Sequence, residues 1–328
     1  AAGAALGAAF GGSLGVTGTS GPGLDLKAEM MGLAVMLELP MIIVDVMRAG
    51  PSTGMPTKTE QSDLLAAMYG RHGESPMPII APTTPGGCFD AAIEAVRIAV
   101  KYRTPVLLLS DTFLGNSTEP WLLPDVSTLP EIEPNFLTKP NTPDGFMPYL
   151  RDENLARPWA LPGTEGLEHR VGGLEKEDGS GNISYDPENH ERMTQLRAAK
   201  IAKIADDIPE IHVDRDLADG KADLLVLGWG STYGTITAAV RRARAQGRRV
   251  DQAHLYHLNP LPRNIGEVIQ GYRRVLIPEL NSGQLSMILR ARFLVDAASY
   301  SKVQGQPIFT DELELAIVQE LDRAERGT

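Results

Sequence analysis

Cys88 is the only cysteine in 328 residues. An intrachain disulfide is therefore excluded, and this chain alone cannot supply the thiolates of an iron–sulfur cluster. Both points fit a reducing cytoplasm. The six histidines are scattered without convincing ligand spacing, so no metal site is expected. Positive charge is also scarce. A net charge of −11 argues against a broad basic surface for nucleic acid or anionic lipid, although a local basic pocket is compatible with it. The run Ala1–Phe10 is too short for a membrane span and lacks the positive flank of a signal peptide. It also lacks an initiator Met and is rich in small residues, which reads as a tightly packed helix entered partway along. The expectation is a processed or partial chain, with no membrane contact.

What is present suits a cytosolic α/β protein. The length suggests roughly two domains, on a soft prior of about 150 residues each. Hydrophobic residues make up 42% of the chain, compatible with substantial cores. Through residue 120, apolar strand runs alternate with helices, the pattern of a parallel sheet covered on both faces. The reading is helix 1–11, strand 15–19, a turn at Ser20–Gly23, helix 24–39 stopped by Pro40, strand 41–47, helix 60–69, strand 77–81, helix 87–102 and strand 106–111. Nine prolines then fall between Pro120 and Pro162, interspersed with Trp121, Phe136, Phe146, Tyr149 and Trp159. Proline denies long helices and the aromatics argue against a solvated linker, which predicts an extended arm packed on another surface. Gly163–Asn182 reads as an exposed loop, and Asp186-Pro187-Glu188 as a helix start running to about Asp206. From about Lys221 a second α/β unit begins: strand 223–227, a Gly228–Ser231 turn, helix 232–246, strand 249–256, helix 264–270, strand 273–278, helix 283–293 and a final helix at 310–322.

The segment with the most chemistry runs from Arg48 to Gln61, directly after the apolar strand Met41–Met47. An arginine at a strand end offers a planar fork of donors to a carboxylate, and strand-end loops are where open α/β sheets bind ligands. The competing reading is a structural ion pair. Thr57-Lys58-Thr59-Glu60 equally matches a helix capping box. Thr19-Ser20-Gly21-Pro22-Gly23 joins a strand to a helix, either as a tight turn or as a close backbone approach to a ligand. Gly228-Trp229-Gly230-Ser231-Thr232-Tyr233-Gly234 has Tyr233 where a dinucleotide turn needs glycine, which counts against an NAD-linked dehydrogenase. His72 reads as a general acid/base or a satisfied loop histidine. Cys88, ahead of a helix, is expected to pack rather than to attack a substrate.

Together these segments resemble the α subunit of 2-oxoacid:ferredoxin oxidoreductases, especially the 2-oxoglutarate type. The resemblance rests on Thr19–Gly23, the Arg48–Gln61 string, and Tyr69-Gly70-x-His72-Gly73-Glu74. It extends through Leu109-Ser110-Asp111, Glu119-Pro120-Trp121, Thr164–His169, Asp186–His190 and Pro278-Glu279-x-Asn281-x-Gly283-Gln284. It implies an α/β fold of two parallel-sheet, three-layer domains joined by a Pro-rich arm. These would be a thiamine pyrimidine-side domain at 1–120, the arm, loop and linker helix at 121–215, and a transketolase C-terminal-like domain at 216–328.

The implied activity is oxidative decarboxylation of a 2-oxoacid, with transfer to coenzyme A and electrons passed to ferredoxin. Thiamine diphosphate would be shared with a β subunit that carries the pyrophosphate side, Mg²⁺ and a [4Fe-4S] cluster. A second αβ unit is implied as well. By the same resemblance, Arg48 and Thr57 would bind the substrate carboxylate or carbonyl, and Thr19, Ser20, Gly21, Pro22 and Gly23 would line the cofactor side. The family's cofactor-activating glutamate and the γ-type domain of many 2-oxoglutarate members lie upstream of Ala1, so companion polypeptide is expected and the chain alone should be inactive. A different class of protein, a non-catalytic assembly or regulatory factor on the same scaffold, is the alternative reading.

Overall fold

The computed structural model describes residues 1–216 and 222–325, so the Lys221 start expected for the second unit lies outside the described residues. In chain order the first part runs α1 (Ala2–Phe10), β1 (Gly15–Thr19), α2 (Gly21–Asp25), α3 (Ala28–Leu37), β2 (Met41–Met47), α4 (Leu64–Tyr69), β3 (Ile79–Ile80), α5 (Gly87–Tyr102), β4 (Pro105–Asp111) and α6 (Thr112–Asn116). The middle holds β5 (Phe136–Leu137), β6 (Trp159–Ala160), α7 (Pro187–Lys203) and β7 (Val213–Asp214). The last part runs β8 (Leu224–Trp229), α8 (Tyr233–Ala245), β9 (Val250–Leu255), β10 (His257–Asn259), α9 (Ile265–Gln270), β11 (Arg274–Glu279), α10 (Gln284–Phe293), β12 (Ala297–Ser301) and α11 (Thr310–Glu325).

Two five-stranded sheets organise these elements, in the orders β1-β2-β4-β3-β10 and β12-β11-β8-β9-β7. Each has four parallel strands and one antiparallel edge, β10 in the first and β7 in the second. The α/β class follows from the apolar runs: β4 is buried at all seven positions and β8 at all six, as strands covered on both faces require. Alternation then divides the faces. Leu224 and Val226 pack against Ile236, Leu313 and Ile317, whereas Leu225 and Leu227 face the core that also holds Ile265 and Leu285. That second core continues into the first sheet through Met41, Ile43, Leu107 and Leu109. Ile42, Val106 and Leu108 meet α5 and α7 on the opposite face.

The two sheets are therefore coupled by more than the arm. β10 leaves the second sheet's strand β9 and adds itself to β3 of the first. Among the described residues, no helix is long and apolar enough to cross a membrane.

Several local expectations need correction. The Ser20–Gly23 turn is the start of the short helix α2, and the helix expected from Leu24 begins only at Ala28. Gly228 and Trp229 belong to β8, so the turn starts at Gly230. The loop expected to be exposed over Gly163–Asn182 contains buried Leu167 and Lys176, and Gly179 bridges to Tyr149. The arm is indeed packed: Trp159 is buried, its indole donates to the Ala9 carbonyl at 3.2 Å, and Arg103 stacks on its ring at 4.9 Å. A second anchor is the left-handed residue Glu38, which caps α3 with φ 50°. Its buried carboxylate takes Arg151 from the arm and Lys200 from α7.

Candidate active site

The predicted residues gather at the C-terminal ends of β1 and β2, neighbouring parallel strands. Thr19 ends β1. Its hydroxyl accepts from Lys27 Nζ at 3.0 Å, and the same ammonium donates to the Gly23 carbonyl at 3.2 Å. Gly23 is required for this fold-back, because a Cβ there would lie 2.0 Å from Thr19 Oγ1. Ser20 Oγ is buried and makes no hydrogen bond. A hydroxyl held this way costs free energy unless water or a ligand meets it.

Arg48 follows β2. It is half-buried, its Nε is buried without an acceptor, and no ion pair engages it among the described residues. The structural ion-pair reading of Arg48 thus finds no partner among the described residues. The loop after it is closed by the Ala49 amide donating to the Lys58 carbonyl at 2.9 Å and the Met55 amide to the Ala49 carbonyl at 3.0 Å. Gly54, at φ 54°, fits because a Cβ would lie 1.9 Å from the Ala49 carbonyl oxygen. Thr57 is exposed and sits at φ 65°, a left-handed conformation that a β-branched residue adopts only under strain.

The capping-box reading of Thr57–Glu60 fails. No helix starts there; α4 begins at Leu64, after Asp63. Glu60 instead takes backbone amides of Gly50 and Gly305, while burial pushes its carboxyl above the usual range. Gln61 explains why the segment bends away from helix. Its amide donates to the Leu280 carbonyl at 3.0 Å, its Oε1 accepts from the Leu280 amide at 2.9 Å, and its Nε2 donates to the Trp229 carbonyl at 2.8 Å. Asn281 Nδ2 closes the set on the Gln61 carbonyl at 2.8 Å. Gln284 does the same for the next turn, donating to the Ser62 carbonyl and accepting from the Leu65 amide. The Pro278–Gln284 motif is thus a seam that locks the Arg48–Gln61 loop to the second sheet. The Gly230 turn serves the same seam, because a Cβ on Gly230 would meet Gln61 Nε2 at 2.9 Å.

His72 is placed elsewhere. It lies exposed beside a cavity of about 810 Å³ lined also by Glu29, Glu175, His190 and Arg197, with neither Arg48 nor Thr57 among its walls. Its neighbour Arg71 holds the turn together by donating to the carbonyls of Ala67 and Ser75 at 2.7 and 2.8 Å. Cys88 is half-buried, and burial raises its thiol pKa, which disfavours the thiolate a nucleophile needs. No group of three or more His, Cys, Asp or Glu able to hold a metal occurs among the described residues.

Sequence reading missed two carboxyls at the centre of this region. Asp45 is fully buried on β2, and neither of its oxygens meets a donor from the protein; Asp63 Oδ2 is in the same state. The two carboxyls interact with each other. Burial first, then the Asp63 charge, pushes Asp45 up to about 8, and burial raises Asp63 as well. The available signal was an aspartate inside the otherwise apolar run Met41–Met47.

Comparison with known proteins decides the family. Residues 1–186 match the family described as pyruvate flavodoxin/ferredoxin oxidoreductase, thiamine-diphosphate-binding. The chain belongs to this family. Within the pyruvate flavodoxin/ferredoxin oxidoreductase family, it is 57% identical over 311 residues to 2-oxoglutarate oxidoreductase subunit KorA of Mycobacterium tuberculosis, covering 94% of this chain and 47% of that one. It is 34% identical to 2-oxoglutarate synthase subunit KorA of Methanothermobacter marburgensis, covering 87% of this chain and 74% of that protein. A solved 2-oxoglutarate:ferredoxin oxidoreductase from Magnetococcus marinus, with 2-oxoglutarate, coenzyme A and succinyl-CoA bound, superposes with a TM-score of 0.91 at 33% identity. That match covers 98% of this chain and 55% of the solved one. The chain thus spans about half the length of the first relative and of this solved family member.

Proposed function

We propose that this chain is the α-subunit portion of a thiamine-diphosphate-dependent 2-oxoacid:ferredoxin oxidoreductase that takes 2-oxoglutarate and coenzyme A to succinyl-CoA and CO2, passing electrons to ferredoxin. The observation that carries the reading is Arg48: a guanidinium at a strand end, with Nε buried and unpaired, in a loop pinned by Gln61. The names of the relatives supply the substrate class.

In this reading Arg48 receives the substrate carboxylate and Thr57 the carboxylate or carbonyl. Holding the oxoacid in one orientation is what a fixed cation and a strained, pre-placed hydroxyl contribute to the rate. Arg48 meets the ground-state carboxylate, so a grip that is too firm would raise the barrier to losing it as CO2. The buried hydroxyl of Ser20, which has no protein partner, supports a cofactor contact at this turn, so Thr19, Ser20, Gly21, Pro22 and Gly23 would form one face of the thiamine site. When bound, thiamine diphosphate supplies the electron sink into which the decarboxylation charge is dispersed.

The region through residue 120 is assigned as the pyrimidine-side domain, 121–215 as arm and linker, and 216–328 as the transketolase C-terminal-like domain that encloses the site. The remaining parts are assigned to partners: a β subunit with the pyrophosphate side, Mg²⁺ and a [4Fe-4S] cluster, a second αβ unit, and an N-terminal or γ portion. The assembly is assigned to the cytoplasm.

The test uses the chain reassembled with its companion subunits. Reduction of a low-potential viologen should require both 2-oxoglutarate and coenzyme A and should yield succinyl-CoA. The kcat/KM for 2-oxoglutarate should exceed that for pyruvate by at least on the order of tenfold. A higher kcat/KM for pyruvate overturns the substrate, and nicotinamide reduction without ferredoxin overturns the reaction class.

A further inference from the structure

Among the described residues no ion pair steers the Arg48 side chain, so the place its guanidinium reaches depends on how its backbone is held. A long side chain rich in rotamers sweeps a wide volume when its base shifts. The carbonyl of Arg48 accepts from the Ser62 hydroxyl at 2.9 Å. On its other side, Ala49 is fully buried and its amide donates to the Lys58 carbonyl at 2.9 Å. Lys58 is tied back into the same loop through Met55. Ser62 is the contact that leads out of it.

The Ser62 carbonyl accepts from Gln284 Nε2 at 2.8 Å. Gln284 Oε1 accepts from the Leu65 amide at 2.9 Å, at the start of α4, where Asp63 supplies no side-chain cap. Gln284 opens α10, and its own amide donates to Asn281 Oδ1 at 2.9 Å. Asn281 Nδ2 donates to Glu279 Oε1 at 3.0 Å. The Glu279 carboxylate in turn takes the amides of Leu285 and Ser286 at 2.8 and 3.1 Å. Two side chains in series, Ser62 and Gln284, thus connect the end of β2 to the start of α10.

We infer that Ser62 and Gln284 are positioning residues for Arg48: they fix the backbone from which the guanidinium meets the substrate carboxylate. The inference rests on the reading of Arg48 as the carboxylate-binding group. It goes one step further, because it lets the second sheet, to which no substrate contact is assigned, set where the substrate cation stands. Misplacement of a binding group by about 1 Å can cost on the order of 100-fold in rate, so a relay of this kind has a measurable effect.

The experiment is a pair of double-mutant cycles in the complete assembly, reading kcat and KM for 2-oxoglutarate. Ser62→Ala should lower kcat/KM about tenfold, carried by KM more than by kcat, and Gln284→Ala about three- to tenfold. Combined with Arg48→Ala, each should cost less than about twofold further, since no guanidinium is left to place. Either cycle suffices if the other variant does not assemble. A loss of the same size in both backgrounds shows that Ser62 and Gln284 act on the fold and not through Arg48, and overturns the inference. A large loss for Arg48→Ala with none for Ser62→Ala and Gln284→Ala also overturns the inference but leaves the carboxylate reading standing. If Arg48→Ala itself leaves kcat/KM unchanged, the carboxylate reading falls and takes the inference with it.

Discussion

Glu38 and Asp45 are both buried carboxyls on the first sheet's side of the molecule, yet they end in opposite electrostatic states. Glu38 is met by Lys200 and Arg151, and Arg151 is met in turn by Asp178 at 2.9 Å. Burial alone would raise Glu38, but Lys200 and Arg151 outweigh it and hold the carboxyl below its ordinary value. Asp45 has no ion pair among the described residues, and burial first, then the Asp63 charge, pushes it up to about 8 despite Lys27. The first cluster joins the arm and α7 to the end of α3. The second lies on β2, three residues before Arg48, where both oxygens of Asp45 are buried without a protein donor. What separates the two is the partner: cations meet the buried Glu38 carboxyl, whereas another carboxyl acts on Asp45.

The contrast extends to pH. The folded-state pKa of Glu38 is depressed, so its contribution is present above its ordinary value of 4.5 and is lost as pH falls through the lowered value. Asp45 is raised, so the native state binds the extra proton between 3.8 and about 8, and stability declines as pH rises through that window. Breaking the first cluster should have the larger effect on stability. Glu38→Gln leaves Lys200 and Arg151 as buried charges without their shared partner, and should cost about 3–5 kcal/mol in denaturant unfolding at neutral pH. The variant should also lose much of the acid-side decline. A cost under about 1 kcal/mol would mean that the cluster is not what holds the arm.

A smaller change should sharpen the comparison from the other side. Thr57 carries backbone strain where it is exposed and makes no core contact. Thr57→Gly should leave unfolding free energy equal or raise it by about 1 kcal/mol, while kcat/KM for the oxoacid falls. A clear loss of stability would show that Thr57 belongs to the scaffold.

How much of this was legible in the sequence depended on how local the cause was. β1, β2 and α5 were readable to their ends, because apolar runs bounded by Gly and Pro decide them. The Thr57–Glu60 cap was misread because the segment's hydrogen bonds go to Leu280, Trp229, Gly50 and Gly305, which no local spacing reveals. The short strands β7, β10 and β12 went unseen for a related reason: two- to five-residue edge strands are made by their partners. The Arg48 loop was visible as an arginine at a strand end. The buried carboxyls of Asp45 and Asp63 were not, since they belong to β2 and to the approach to α4, separated by the whole loop. Only the aspartate within an apolar strand hinted at them.

The account's central claim is that Arg48 is kept free for a substrate carboxylate. It is tested most directly by kcat/KM for 2-oxoglutarate in the complete assembly carrying Arg48→Ala, with unfolding followed on the same sample. The account predicts a fall of roughly 30- to 1,000-fold, about 2–4 kcal/mol, with unfolding free energy changed by less than about 0.5 kcal/mol. An unchanged kcat/KM in a folded assembly would contradict it.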